Sequence, residues 1–145
     1  MDENIYPYEI FKEYTYEFVS VSKDKNVRKL VAFTETGREN VFNLALFDIL
    51  DSGECCNITE TRNRDMTTVM ATIFRIVATF LEIDKEYVVV FRGNDSRRHR
   101  LYRIAISREL KNLSEKYVIL GINEDRIEYF QPDQSYKLYI ITNKL

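Results

Sequence analysis

The residues best suited to chemistry in this chain lie close together, in Gly93-Asn-Asp-Ser-Arg-Arg-His-Arg-Leu-Tyr-Arg103. An apolar run over Val88–Phe91 ends at Arg92 and Gly93, Asp95-Ser96 follows with cap chemistry, and arginines recur through the next turns. Gly93 permits a tight turn and close backbone approach. A helix starting near Ser96 offers unpaired N–H groups and the positive end of its dipole. Arg98, Arg100 and Arg103 carry planar guanidiniums that grip a phosphate through paired donors, which lysine does not. The chemistry predicted is anion binding at a strand-to-helix turn. Cations at a helix start oppose the dipole by about 0.3–1 kcal/mol each, so something must offset them. A bound phosphate would do so, and so would acidic side chains from the rest of the chain. Asp95 or Ser96 also competes for the same N–H groups as an ordinary N-cap.

Other chemistries find less support. There is no G-x-x-x-x-G-K-[ST] and no G-x-G-x-x-G, so neither nucleotide loop is present and no cofactor is expected. His99 is the only histidine and projects near the apolar side of its helix, a position that suits packing more than proton transfer. A phosphoryl-transfer or nuclease reaction using His99 would need a carboxylate or metal beside it. Asp48, Asp51 and Glu54 could hold Mg²⁺ through waters, although an acidic loop end explains them as well. The adjacent Cys55 and Cys56 suit neither a zinc site nor a disulfide framework and predict free thiols. Tyr6, Tyr8, Tyr14, Tyr16, Tyr136 and Tyr139 could stack on bases, or pack within a sheet.

The whole chain sets the background for this cluster. Residues 92–111 hold seven Lys/Arg against two acids, which leaves 14 bases and 21 acids elsewhere. A net charge of −2 excludes a generic nucleic-acid coat, and the local excess points to one cationic face instead. With 145 residues, 45% of them hydrophobic and 30% charged, the chain predicts one folded domain over 1–145. The start lacks a basic and apolar leader pattern, and Thr68, Thr72, Arg75 and Thr79 interrupt the longest apolar stretch. A cytoplasmic protein without a membrane partner is expected.

The elements that must position the cluster follow from periodicity. Residues 4–14 predict a lead-in segment interrupted by Pro7. Thr15–Ser22, Val27–Thr34 and Val41–Ile49 predict three strands of an antiparallel meander, joined by polar turns. A polar connection over 51–63 leads to a mostly buried helix from Asn63 or Asp65 to Ile83, bearing one narrow polar stripe of Thr68, Thr72, Arg75 and Thr79. Tyr87–Arg92 is suited to an interior strand. A second helix over 96–116 places Tyr102, Ile106, Leu110, Leu113 and Tyr117 on one stripe and Arg97, Arg100, Arg108 and Lys111 opposite. Residues 118–122, 126–130 and 136–142 close the chain as strands. The predicted fold is α+β, a mainly antiparallel sheet with two helices largely on one face, in the order β-β-β-α-β-α-β-β.

Gly93-Asn-Asp-Ser-Arg-Arg-His-Arg-Leu-Tyr-Arg-Ile104 resembles the signature segment of a family of small bacterial proteins of unknown function, whose pattern is a strand followed by G-S-T-x-x-R-x-R-L-Y-R. Gly93, Arg98, Arg100, Leu101, Tyr102 and Arg103 match, and Asp95 stands where Thr is usual. Asn43-Leu-Ala-Leu-Phe-Asp48 is similar to the family's N-L-x-x-G-D, with Phe47 in place of Gly. The resemblance implies a shared site joining Asn43 and Asp48 to Arg98, Arg100 and Arg103, and it implies no activity. Taken together, these features predict a non-enzymatic module that binds a phosphate-bearing ligand, a nucleotide or nucleic acid such as RNA, through Gly93, Ser96, Arg98, Arg100 and Arg103 with Asn43 and Asp48. The alternative is a protein–protein module or homodimer whose basic helix meets an acidic surface.

Overall fold

The computed structural model describes residues 5–21, 26–49, 55–57, 66–92, 104, 106–109, 115–124, 126–131, 134 and 136–144. The strands are β1 (Tyr8–Lys12), β2 (Thr15–Val21), β3 (Asn26–Glu35), β4 (Val41–Ile49), β5 (Cys55–Asn57), β6 (Val88–Phe91), β7 (Tyr117–Asn123), β8 (Arg126–Tyr129) and β9 (Leu138–Asn143). Helix α1 spans Met66–Leu81, and residues 104 and 106–109 belong to a second helix, α2. The strands form one sheet in the order β1-β2-β3-β4-β6-β9-β7-β8, with β5 paired to β4.

The meander β2-β3-β4 is antiparallel, as its alternation predicts, and so are most other pairs. The exception is β4 with β6, which run parallel, Val41 opposite Val88 and Asn43 opposite Val90. A parallel neighbour requires a crossover, and α1 lies in the intervening chain. The sheet is therefore mixed, and its element order departs from the predicted one at three further places, since three strands, β7 to β9, follow the second helix where the order counted two. The lead-in segment holds an edge strand, β1, and the polar connection holds the three-residue β5. An edge strand contributes mainly backbone pairing, and the burial pattern of β1 has no period of two. Tyr14 turns the chain from β1 into β2 with a left-handed φ of 61°. Tyr117, expected on the stripe of the second helix, instead heads β7, where its hydroxyl donates to the Ala78 carbonyl and to Glu82.

The inner face of the sheet packs on α1. Phe80 stacks on Phe33 at 4.0 Å and meets Phe42 and Tyr87 edge-on and stacked at 5.0 and 4.9 Å. Phe42 opens β4 and Tyr87 precedes β6, so the C-terminal half of α1 lies over the starts of these two strands. Phe74, two turns earlier, meets Phe91 at the far end of β6. Helix α1 thus runs antiparallel to β4 and β6, and its first turn lies towards their C-terminal ends. Its threonine stripe receives the N-terminal segment: Tyr6 donates its backbone N–H to Thr72 Oγ1 at 2.9 Å, and the Tyr8 hydroxyl meets Thr79 Oγ1 at 2.7 Å. Ile106 of α2 is fully buried in the same core, while Arg108 is exposed, the split expected for that helix.

Candidate functional site

Three strand ends and one helix start converge at one end of the sheet. There β2 and β4 finish, β3 begins, and α1 begins above them. Alternation puts Ser20 of β2, Lys29 of β3 and Asp48 of β4 on the inner face at this end. Lys29 and Asp48 are direct partners in the register, and Lys29 Nζ donates to Asp48 Oδ1 at 2.8 Å. Both side chains are nearly sealed from solvent, at 1% and 3% exposure. Ser20 is also fully buried. Lys29 interacts beyond Asp48, and Ser20 is engaged as well. Tyr6 stacks on Phe18, the residue opposite Lys29, and closes one side of this polar group. No buried side-chain nitrogen or oxygen among the described residues lacks a partner.

An ion pair this deep costs several kcal/mol per ion in lost hydration, and its mutual attraction repays that only with good geometry and further hydrogen bonds. The pair fixes the register between β3 and β4, since a slip of one residue would turn Lys29 and Asp48 out of the core. It also gives this end of the inner face the buried charges among the described residues, in a core built mostly from aromatic and aliphatic side chains. Strand β6 points towards the same end. By its parallel register it stops about four residues short of the level of Asp48, and Arg92, the first residue past it, is exposed.

The predicted site residues are distributed unevenly around this end. Asp48 is at its centre. Asn43 is five positions earlier on the same strand, so it occupies the opposite face, where it is half-buried and donates to the Leu44 carbonyl at 3.4 Å. The structure does not bring Asn43 and Asp48 together. Gly93, Ser96, Arg98, Arg100 and Arg103 lie outside the described residues, as do His99, Asp51 and Glu54, and only the backbone pairing of Cys55 and Cys56 is described, with Cys56 opposite Asp48. Lys29 is the member that sequence reasoning missed. Its signal was the alternation itself, since Lys29 shares parity with Val31 and Phe33.

The same geometry bears on the other chemistries. Asp48 is committed to Lys29, and among the described residues no group of three His, Cys, Asp or Glu is placed to hold a metal. Tyr16, Tyr136 and Tyr139 are buried at 3%, 1% and 0% exposure, and Tyr6, Tyr8 and Tyr14 pack against the core, so these rings serve the fold. Burial followed by the charge and hydrogen bond of Glu82 pushes the Tyr117 hydroxyl up to about 12. The hydrogen bond of the Tyr87 hydroxyl with Tyr14, with burial second, pushes Tyr87 up to about 12 as well. Among the described residues, no helix is long and apolar enough to cross a membrane.

Neither a curated protein nor a solved structure matches the chain. One family model does, over residues 2–144, and on that match the chain belongs to DUF6934, a family of unknown function.

Proposed function

We propose that this protein is a non-enzymatic binding module for a phosphate-bearing ligand, a nucleotide or RNA, held by Arg98, Arg100 and Arg103 with the turn at Gly93–Ser96. The observation that carries this reading is the exit of β6. An interior strand, parallel to its neighbour β4, ends near the level of Leu44, short of the end of β4, and points towards the end of the sheet where the connecting helix begins. Ligands of open sheets bind in the crevice beyond the carboxyl ends of such strands. The arginine-rich segment follows directly from that end, and exposed Arg92 already brings a guanidinium to it. No acidic residue lies in the first turn of α1 to repel an anion there. In this reading Asp48 acts through Lys29, as a positioning residue beneath the site, and Asn43 on the other face takes no part.

The test is RNA-oligonucleotide and polyphosphate binding over a range of salt. Arg98→Ala/Arg100→Ala should weaken binding and lower the dependence of log K on log salt by roughly 0.7–0.9 for each phosphate no longer neutralised. Binding that is equal in both proteins and insensitive to salt would overturn the reading. A second reading, a module whose basic helix meets an acidic protein, draws support from α2, where Ile106 is buried and Arg108 exposed. Capture of an acidic protein that is abolished in Arg108→Glu, with no binding of RNA or polyphosphate, would favour it.

A further inference from the structure

The outer face of the sheet breaks the rule that an antiparallel sheet with one wet face alternates apolar-in and polar-out. On β4, β6, β9 and β7 the outward positions are almost all apolar, with Asn43 and Thr142 the polar exceptions and no charged residue among them. Val90, Ile140 and Leu120 lie side by side across β6, β9 and β7, with Asn43 opposite Val90 on β4 and Phe47 further along that strand, and all keep part of their surface exposed. The register carries the face onto edge strand β8, where Tyr129 lies opposite Leu120 and Ile127 opposite Ile122. Ile127 and Tyr129 are 63% and 70% exposed. Both helices pack on the other side, since the core that holds Ile106 and α1 is formed by the inward residues of the same strands.

We infer that this face is the interface of a homodimer, two sheets packed face to face across a two-fold axis. The five strands, at ~4.8 Å spacing and about five residues each at ~3.3 Å, give a face of roughly 400 Å² in projection, and more in accessible surface. Two copies then bury on the order of 1,000 Å², the floor for a specific interface. An uncharged centre suits a second copy, because a two-fold axis sets the same patch against itself and no complementary charge is required. The nearest charged pair, Arg28 with Glu17 at 3.1 Å, sits at the rim on β3 and β2 with both signs together. Aligned sheet packing at about 10 Å separation lets the side chains of the two faces interdigitate. This interface is separate from the basic helix, which lies on the inner side.

Sedimentation equilibrium of the full chain tests the inference. The native protein should show a dimer at concentrations of about 1–100 μM. Ile127→Lys/Tyr129→Lys, placed where both side chains are largely in solvent and folding does not depend on them, should weaken dimerisation about tenfold or more. Phe47→Glu should leave a monomer, and if it fails to fold the edge-strand variant decides alone. Arg98→Ala/Arg100→Ala should remain dimeric, whatever its effect on anion binding. A native protein that is monomeric throughout, a lysine variant that dimerises as tightly as native, or an arginine variant that no longer dimerises would each overturn the inference.

Discussion

The two ends of the inner sheet face are built from the same strands and solve opposite problems. At the end where β4 and β6 begin, Phe33, Phe42, Phe80, Tyr14 and Tyr87 form one aromatic cluster with centroids 4.0–5.8 Å apart. At the end where β4 finishes, the inward positions are Ser20, Lys29 and Asp48. The aromatic end stabilises by removing large apolar surfaces from water and by ring geometry. The ionic end contributes little net stability for the desolvation it requires, and what it supplies is a fixed register and a polar patch beyond the exit of β6. Stability is concentrated at one end and the candidate chemistry at the other.

Breaking the aromatic end should have the largest effect. Phe80→Ala removes the ring shared by Phe33, Phe42, Tyr14 and Tyr87 from a fully buried position, and should cost about 3–5 kcal/mol in denaturant unfolding. Asp48→Leu leaves Lys29 buried without its carboxylate, and should cost a similar or slightly smaller amount, about 3–5 kcal/mol. A smaller effect belongs to Tyr117, whose hydroxyl loses its proton at about 12 in the folded chain. A folded pKa raised above the unfolded value near 10 gives stability that is complete below about pH 10 and lost as pH rises through about 12. Tyr117→Phe should therefore lower stability at pH 7 by about 1 kcal/mol through the lost hydrogen bonds, and flatten the alkaline limb between about pH 10 and 12. An unchanged alkaline limb would assign that loss to Tyr87 or to other groups.

Much of this contrast was legible in the sequence, and its gaps have physical causes. Alternation located β2, β3 and β4 to within a residue or two, because each has one face against α1 and one away from it. It did not find β1, whose pairing is carried by backbone rather than by a buried side, or the three-residue β5. The parallel pairing of β4 and β6 is a tertiary choice, and periodicity does not report which strands become neighbours. The burial of Lys29 and the opposite faces of Asn43 and Asp48 were both written in strand parity. Charge density points elsewhere: it peaks at residues 92–111, whereas an isolated cation inside an apolar strand gives no such peak. The resemblance joined Asn43 to Asp48 by motif, and the pleat of β4 separates them.

The division between the two ends is tested most directly by the Lys29→Met/Asp48→Leu double variant alongside its two single variants, in urea unfolding at pH 7. The account predicts that each single change is severe and that the double variant recovers to within about 1 kcal/mol of the native protein, or exceeds it. A double variant that loses as much as the two single changes added together would contradict it, and would make the ionic end part of the stability of the fold.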